Sequence, residues 1–299
     1  MSGVGVIGLG NMGGRITRRL VEAGHAVLGY DLDPTRAAAC GAHAAASIAE
    51  VAAGADRILL SLPDSRVVER VVRGGLLAGA RHGQVVVDLS TAAPASTVAL
   101  AGELAERGVR YLDAGISGGA AAADKGTLTL MVGADRATVA ELADLFAPFA
   151  TKVVPMGAVG AGHATKLLNN FLNAVSLAAT AEVMVAARLA GLDLDDVLEV
   201  LNSASGVNFA TLHRFPHIVH GDYLEGGLTG ALMTKDIVAY VEYVRELGVP
   251  TLSATGPLAA FGLAAQLGYA DQISNRVVDA IGDVAGGVRL YDNPEAGSP

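Results

Sequence analysis

The stretch Val4-Gly5-Val6-Ile7-Gly8-Leu9-Gly10-Asn11-Met12-Gly13 decides the fold of this chain of 299 residues. Residues 4–9 form a short apolar run that predicts a buried strand, and residues 12–23 are spaced as in a helix. Between them lies the pattern G-x-G-x-x-G. The first glycine allows a tight turn, the second lets the backbone approach a pyrophosphate, and the third lets the helix pack on the strand. The unpaired N–H groups at the helix N-terminus then face the phosphates. The stretch therefore predicts a dinucleotide-binding unit.

Asp31 ends the second predicted strand, at residues 26–31. An acidic residue at this distance from the glycine loop bonds the ribose hydroxyls of the adenosine half, and it repels a 2′-phosphate. Asp31 therefore favours NAD as the cofactor, while the nearby Arg36 leaves NADP possible.

Strand and helix patterns alternate through the first half of the chain, which predicts βαβ units and a parallel sheet. The predicted strands are residues 4–9, 26–31, 57–62, 85–89, 110–114, 127–132 and 152–154. The predicted helices are residues 12–23, 34–40, 47–53, 65–72, 94–107 and 137–149. We therefore expect an α/β protein whose N-terminal domain, residues 1–162, is a Rossmann domain with a doubly wound parallel sheet.

Strand signals nearly vanish after about residue 160. Helical patterns follow at residues 164–190, 194–204, 234–247 and 257–267. We therefore expect a C-terminal all-α domain, residues 163–299, that serves substrate binding and oligomerisation.

Apolar residues make up 52% of the chain and charged residues 17%, which raises the question of a membrane. The uncharged residues 249–270 are broken by Pro250 and Pro257, which a spanning helix of about 20 apolar residues does not favour. Residues 167–187 contain three asparagines, each of which would need a partner in hydrocarbon. We interpret both stretches as helices buried in protein and expect no membrane partner.

The net charge of −9 argues against nucleic acid, which selects a basic surface. Cys40 is the single cysteine, so no intramolecular disulfide and no cysteine metal cluster is expected. The histidines lack metal-ligand spacing, so we expect no metal site. The N-terminal residues lack the features of a signal peptide, and we expect a cytoplasmic protein.

Two downstream segments carry candidate chemistry. Ser117-Gly118-Gly119 forms a second glycine loop, whose N–H groups and hydroxyl suit an anion such as a carboxylate, although a plain glycine turn fits equally well. Lys166 lies near the start of a long apolar helix. The helix dipole and desolvation both disfavour its charge, which would lower its pKa towards that of a general acid or base. A snorkelling surface lysine is the alternative.

Asn169 and Asn170 need partners in an otherwise apolar helix. Asn170 lies one turn after Lys166, on the same face. Lys235-Asp236 begins another helix, where a solvated ion pair is the plain interpretation.

Four segments together resemble, in their order along the chain, the motifs of the β-hydroxyacid dehydrogenase family. They are the glycine loop, residues 113–119 with Gly126-Thr127-Leu128, residues 160–170 and Lys235-Asp236. This family includes 3-hydroxyisobutyrate dehydrogenase and tartronate semialdehyde reductase, and the resemblance covers about residues 3–285. The chain departs from it at Gly115-Ile116, where the family usually has Pro-Val, and at the glycine-rich residues 226–233, which lack the common aromatic.

The resemblance implies a role for each matching residue. Lys166 would be the catalytic lysine, and Ser117, Gly118 and Gly119 would hold the substrate carboxylate. Asn170 would bond the substrate, and Asn169 would help to order the site. Leu62, Pro63, Thr91 and Lys235 would line the cofactor cleft.

The implied activity is NAD-dependent, reversible hydride transfer to or from a short 3-hydroxy acid, or its semialdehyde or sulfonate analogue. A small anionic hydroxyacid is the expected partner. We also expect a homodimer or homotetramer, because one helical domain cannot easily bury such apolar helices alone.

Three alternatives stay open. An imine reductase on the same scaffold usually has Asp or Tyr where Lys166 stands. A 6-phosphogluconate-type dehydrogenase is longer and binds a sugar phosphate, for which this chain shows no clear basic cluster. A non-catalytic cofactor-binding protein would need neither the lysine nor the substrate loop.

Overall fold

The computed structural model describes residues 3–291, which divide into two compact units between Leu167 and Leu168. The first unit contains a sheet of eight strands. The strands are β1 (Val4–Ile7), β2 (Val27–Tyr30), β3 (His43–Ala44), β4 (Arg57–Leu60), β5 (Val85–Asp88), β6 (Arg110–Ser117), β7 (Leu128–Val132) and β8 (Ala150–Pro155).

The strand order is β3-β2-β1-β4-β5-β6-β7-β8. The chain therefore starts in the interior of the sheet, builds outward on one side to β3, and then returns to build the other side from β4. Val4 is aligned with both Val27 and Arg57 in parallel pairs. In such a doubly wound sheet, ligands bind beyond the carboxyl ends of the strands, where the order reverses. The predicted α/β fold class is confirmed.

The helices of the first unit lie between the strands. They are α1 (Asn11–Glu22), α2 (Thr35–Ala39), α3 (Ile48–Gly54), α4 (Ser65–Val71), α5 (Leu77–Gly79), α6 (Pro94–Ala105), α7 (Gly119–Lys125), α8 (Arg136–Glu141) and α9 (Ala143–Phe146). A π-helical turn, Val72–Leu76, joins α4 to α5. Where a single helix was predicted at residues 137–149, the structure has the two short helices α8 and α9.

The sheet is not parallel throughout, because β7 runs antiparallel to β6. The linking residues 118–127 contain only the short helix α7. A crossover between parallel strands needs about a dozen residues or more, so this link returns the chain in the opposite direction. The predicted parallel sheet is confirmed from β1 to β6, and strand β7 departs from it.

Both faces of the sheet are buried, which explains the nearly continuous apolar runs of its strands. Val4 and Val6 pack on one face with Ile16 of α1. Ile7 and Ile58 pack on the opposite face, in a second cluster.

The second unit is helical, as predicted. After α10 (Ala161–Leu189), which begins in the first unit, come α11 (Leu194–Ser203), α12 (Phe209–His213), α13 (Phe215–Ile218), α14 (Gly230–Glu246), α15 (Thr255–Gln266) and α16 (Val277–Val284). Two short 3-10 helices are Leu252–Ala254 and Ser274–Arg276. Helices α12, α13 and α16 were not predicted. Leu177, Met184 and Phe215 are fully buried in the core of this unit.

One described helix, Ala161–Leu189, is long and apolar enough to cross a membrane by length and composition alone. In its most apolar window, 56% of the residues are buried inside the protein. A core helix passes the same test, and the burial of Leu177 and Met184 is what such a helix requires.

Candidate active site

The glycine loop joins β1 to α1 at the carboxyl edge of the sheet. Gly8 has a φ of +90°, which other residues rarely adopt. A Cβ on Gly13 would lie 1.9 Å from the carbonyl oxygen of Gly8, so only glycine fits where the helix meets the strand. Helix α1 begins at Asn11, so Asn11, Met12 and Gly13 lie in its first turn. N–H groups of a first turn lack partners within their own helix and suit a phosphate.

Asp31 lies directly beside this loop. Its Oδ2 accepts a hydrogen bond of 2.7 Å from the N–H of Leu9, and its Oδ1 accepts one of 3.0 Å from the N–H of Asp33. Arg36 lies 3.8 Å from Asp31 Oδ2 through its Nη1. A carboxylate and a guanidinium therefore flank the loop together.

The loops after β4 and β5 meet at the same edge of the sheet. The N–H of Leu62 donates to Ser90 Oγ at 2.9 Å, and the N–H of Ser90 donates to Asp88 Oδ1 at 2.9 Å. These bonds hold Leu62-Pro63 beside Ser90-Thr91. The structure thus brings the residues predicted to line the cofactor cleft within the first unit to the edge that carries the glycine loop.

The second glycine loop follows β6, whose last residue is Ser117. Gly118 and Gly119 have φ values of +124° and +69°, so both positions favour glycine. Gly118 is the N-cap of α7, and both glycines are exposed. This loop is therefore exposed at the end of the strand.

Lys166 lies in the second turn of α10, against strand β6. A Cβ on Gly115 would lie 2.6 Å from Lys166 Cβ, and a Cβ on Gly162 would lie 2.3 Å from the carbonyl oxygen of Met131. The two glycines allow the start of the helix to approach the sheet closely. Lys166 therefore branches from the helix beside Gly115, two residues before Ser117.

Asp113 holds the start of α10 in this position. Its carboxylate is fully buried and accepts hydrogen bonds from the N–H groups of Gly160 at 2.6 Å and His163 at 2.7 Å. A negative charge at a helix N-terminus is favourable. Asp113 thus fixes the helix that carries Lys166.

His163 lies beside Lys166 in the sequence but has a structural environment. Its ring is fully buried, with Nδ1 2.8 Å from Thr97 Oγ1 and Nε2 3.2 Å from the backbone oxygen of Asp88. The Tyr111 hydroxyl donates to Asp88 Oδ2 at 2.7 Å. Burial, and then the charge of Asp88, raises the pKa of Tyr111 well above its usual value, so this hydroxyl stays a donor.

This buried network was missed by the sequence analysis. A signal was present, because Asp88 lies near the end of one predicted strand and Asp113 lies in the next one. Buried carboxylates at such positions need partners, but the sequence does not say which.

In the second unit, three of the predicted site residues are linked to Asp236, two of them directly and the third through Asn170. Its Oδ2 accepts a hydrogen bond of 2.5 Å from Asn170 Nδ2, and its Oδ1 lies 3.1 Å from Lys235 Nζ. Asn169 Nδ2 in turn donates to Asn170 Oδ1 at 3.2 Å. Asp236 is only 2% exposed, so the interpretation of Lys235-Asp236 as a solvated pair was wrong.

Nowhere in residues 3–291 do three His, Cys, Asp or Glu side chains come together as a group that could hold a metal ion.

Comparison with known proteins agrees with this geometry. Residues 3–157 match the NAD binding domain of 6-phosphogluconate dehydrogenase, and residues 160–280 match the family described as NAD-binding of NADP-dependent 3-hydroxyisobutyrate dehydrogenase. Among solved structures, the 3-hydroxyisobutyrate dehydrogenase of Mycobacterium tuberculosis with L-serine superposes with a TM-score of 0.85. It is 32% identical, and the match covers 94% of this chain and 99% of that one.

Two relatives span most of the chain. The 2-(hydroxymethyl)glutarate dehydrogenase of Eubacterium barkeri is 34% identical over 252 residues, which are 83% of this chain and 84% of that protein. The mitochondrial 3-hydroxyisobutyrate dehydrogenase of Mus musculus is 37% identical over 245 residues, which are 78% and 73% of the two chains. The chain therefore belongs to the β-hydroxyacid dehydrogenase family, as an oxidoreductase that acts on CH–OH groups with NAD or NADP.

Proposed function

We propose that this protein transfers hydride reversibly between NAD and a short-chain 3-hydroxy acid, or its semialdehyde or sulfonate analogue, with Lys166 as the general acid and base. The contact of Lys166 with Gly115 supports this most directly. It places the base of the Lys166 side chain beside the strand that ends at Ser117, in the candidate anion loop. An amine near an anion site is what proton transfer at the hydroxyl of a hydroxyacid needs.

In this mechanism, Lys166 accepts the hydroxyl proton during oxidation and returns it to the carbonyl oxygen in the reverse direction. The bound nicotinamide supplies the hydride chemistry.

Ser117, Gly118 and Gly119 hold the substrate carboxylate through one hydroxyl and two N–H groups. Asn170 also bonds the substrate in this proposal. Its Nδ2 donates one hydrogen to Asp236, and the second hydrogen serves a substrate oxygen. Asn169 bonds Asn170 Oδ1 and so keeps the amide in this orientation.

The first unit fits a dinucleotide. Around the Cβ direction of Gly10, the nearest described atom is Arg36 Nη1 at 3.5 Å, so the loop backbone is open to an approaching phosphate. Leu9, Asn11, Met12 and Gly13 complete the loop, and Leu62, Pro63, Thr91 and Lys235 are proposed to line the cofactor cleft.

We expect NAD+ to be preferred over NADP+, and Asp31→Ser to reduce that preference. The serine removes a charge-assisted bond to the ribose and the repulsion of a 2′-phosphate. Such a bond contributes about 1.5–3 kcal/mol, so the ratio of kcat/KM for NAD+ to that for NADP+ should fall about tenfold or more.

Glu106→Gln is the control, since Glu106 is an exposed acidic residue of the same unit and lies outside the glycine loop and the Asp31–Arg36 segment. It should leave the ratio nearly unchanged. A wild-type protein that strongly prefers NADP+ would contradict the assignment to Asp31.

The test of the function is a screen of NAD+ reduction over short hydroxyacids, hydroxysulfonates and aldonates, with NADP+ in parallel. The two relatives are named for a monocarboxylate and a dicarboxylate substrate, so both classes belong in the screen. Turnover of cyclic imines with NADPH, and none of hydroxyacids, would favour an imine reductase instead.

We also propose that the protein is a homodimer or homotetramer through its helical unit. Large apolar side chains of this unit are more than half exposed in the single chain, among them Leu172, Leu189, Val200 and Leu252. Such surface is often covered by another subunit. Sedimentation at micromolar concentration should give at least a dimer, and a monomer there would count against this proposal.

A further inference from the structure

Arg214, in the second unit, carries a positive charge that no carboxylate compensates. Within residues 3–291, no Asp or Glu oxygen lies within 4.0 Å of its guanidinium. Its Nη1 donates to Asn275 Oδ1 at 2.7 Å, and its Nη2 donates to Asn173 Oδ1 at 3.0 Å. Two neutral amides therefore hold the guanidinium in place without cancelling its charge.

Two other arginines of the same unit, by contrast, are paired with carboxylates. Arg276 is partly buried, and its guanidinium lies 3.0 Å from Asp279 and 3.2 Å from Glu225. Arg289, also partly buried, lies 2.5 Å from Asp283. Burial of a charge is costly unless it is paired. Arg214 is an exception, because its hydrogen bonds go only to amides and its other neighbour is the Phe209 ring, 5.7 Å from the guanidinium carbon.

Desolvation acts on this guanidinium. Burial lowers the pKa of Arg214 to about 10, so the guanidinium stays charged at neutral pH but is destabilised. The residue nevertheless keeps part of its surface exposed. A guanidinium has five N–H donors, and two of them bond Asn173 and Asn275. None of the others has a protein acceptor among residues 3–291.

The position of Asn173 connects Arg214 with the candidate substrate site. Asn170 and Asn173 lie three residues apart on α10, so they are neighbours on the helix surface, with about 4.5 Å of rise between them. Asn170 is the residue proposed to bond the hydroxyacid. Arg214 is thus held one side chain away from it, within the same unit.

We propose that Arg214, held by Asn173 and Asn275, binds a second carboxylate of the substrate, which makes the preferred substrate a hydroxy dicarboxylic acid. This inference rests on the proposed function and narrows its substrate class. The planar fork of a guanidinium matches a carboxylate in two parallel hydrogen bonds. The bound anion also supplies the charge that the two amides lack.

The experiment compares kcat/KM for monoacids and diacids among 3-hydroxy acids. The monoacids are 3-hydroxypropionate and 3-hydroxyisobutyrate. The diacids are 2-(hydroxymethyl)succinate and its homologue one carbon longer. We expect the wild-type protein to prefer one of the diacids by about tenfold or more, because a hydrogen bond to a charged group contributes at least that factor. In Arg214→Met the preference should disappear, mainly through KM, while kcat/KM for the monoacids stays within about twofold.

Two further variants separate this role from a structural one. Arg245→Met removes the same charge from an exposed position on α14 and should keep the preference. Arg214→Lys keeps the charge but loses the planar fork of the guanidinium, and should retain part of the preference for the diacid. The lysine variant also serves if the methionine variant does not fold. Equal loss for monoacids and diacids in Arg214→Met, or a wild-type protein without preference for either diacid, would overturn the proposal.

A binding measurement distinguishes this proposal from the proposed function. Glutarate, which has no hydroxyl to oxidise, should raise the melting temperature of the wild-type protein and not that of Arg214→Met. If glutarate does so but no hydroxyacid is turned over, the carboxylate site stands and the dehydrogenase function fails. If hydroxyacids are turned over but glutarate acts equally on both proteins, the function stands and the subsite fails.

Discussion

Replacing Lys166 with alanine should lower kcat for hydroxyacid oxidation at least about hundredfold, since a positioned general acid or base contributes about 10²–10⁴. The variant removes the amine but keeps the Cβ, which makes the close contact of the helix with Gly115 of β6. Binding of NADH, measured by fluorescence titration, should change little. Loss of turnover with cofactor binding intact is the signature of a group that acts on the substrate proton.

Lys152→Ala is the matched control. Lys152 is an exposed residue of β8 in the same unit, and its removal should leave kcat within about twofold. If Lys166→Ala also kept nearly normal turnover, Lys166 would not be the acid–base group.

Gly115 explains why this lysine is close to the sheet. The resemblance of the chain to its family includes a usual Pro-Val where this chain has Gly115-Ile116. A Cβ at position 115 would lie 2.6 Å from Lys166 Cβ and 3.0 Å from the carbonyl oxygen of Gly162. A larger residue here would push α10 outward, so the departure from the family pattern bears on the position of the catalytic candidate as well as on the substrate side.

Much of the fold could be predicted because local signals agree with the tertiary structure. The strand predicted at residues 85–89 is observed as Val85–Asp88, since its side chains are buried on both faces and the run is apolar throughout. The helix predicted at residues 94–107 is observed as Pro94–Ala105, with proline at its start. Such elements need no information from the rest of the chain.

Other features depend on contacts between residues far apart in the chain, which local sequence patterns do not reveal. The direction of β7 follows from the short link through α7. Gly118 and Gly119 at the start of this link indicated a turn, so helix α7 was not predicted. The network behind Lys166 joins residues that are far apart in the chain, such as His163 with Thr97 and with Asp88. Arg214 likewise showed nothing unusual in the sequence, because its distinguishing property is the absence of a carboxylate in three dimensions.

Replacing Asp113 with alanine should destabilise the protein by about 2–6 kcal/mol. The carboxylate is fully buried, and its loss leaves the N–H groups of Gly160 and His163 without an acceptor. Each buried unsatisfied group costs about 1–3 kcal/mol. The favourable interaction of a negative charge with the N-terminus of α10 is lost as well. Urea unfolding followed by circular dichroism measures the change in the free energy of unfolding.

Asp135→Ala separates this effect from the loss of an ordinary helix cap. Asp135 is exposed and caps α8 by accepting a hydrogen bond of 2.8 Å from the N–H of Thr138. Loss of such a cap costs about 1 kcal/mol, so the Asp113 variant should lose clearly more. It should also lose activity, because the first turns of α10 carry Lys166. Equal destabilisation of the two variants, with full activity in both, would show that Asp113 does not hold the start of α10 in its active position.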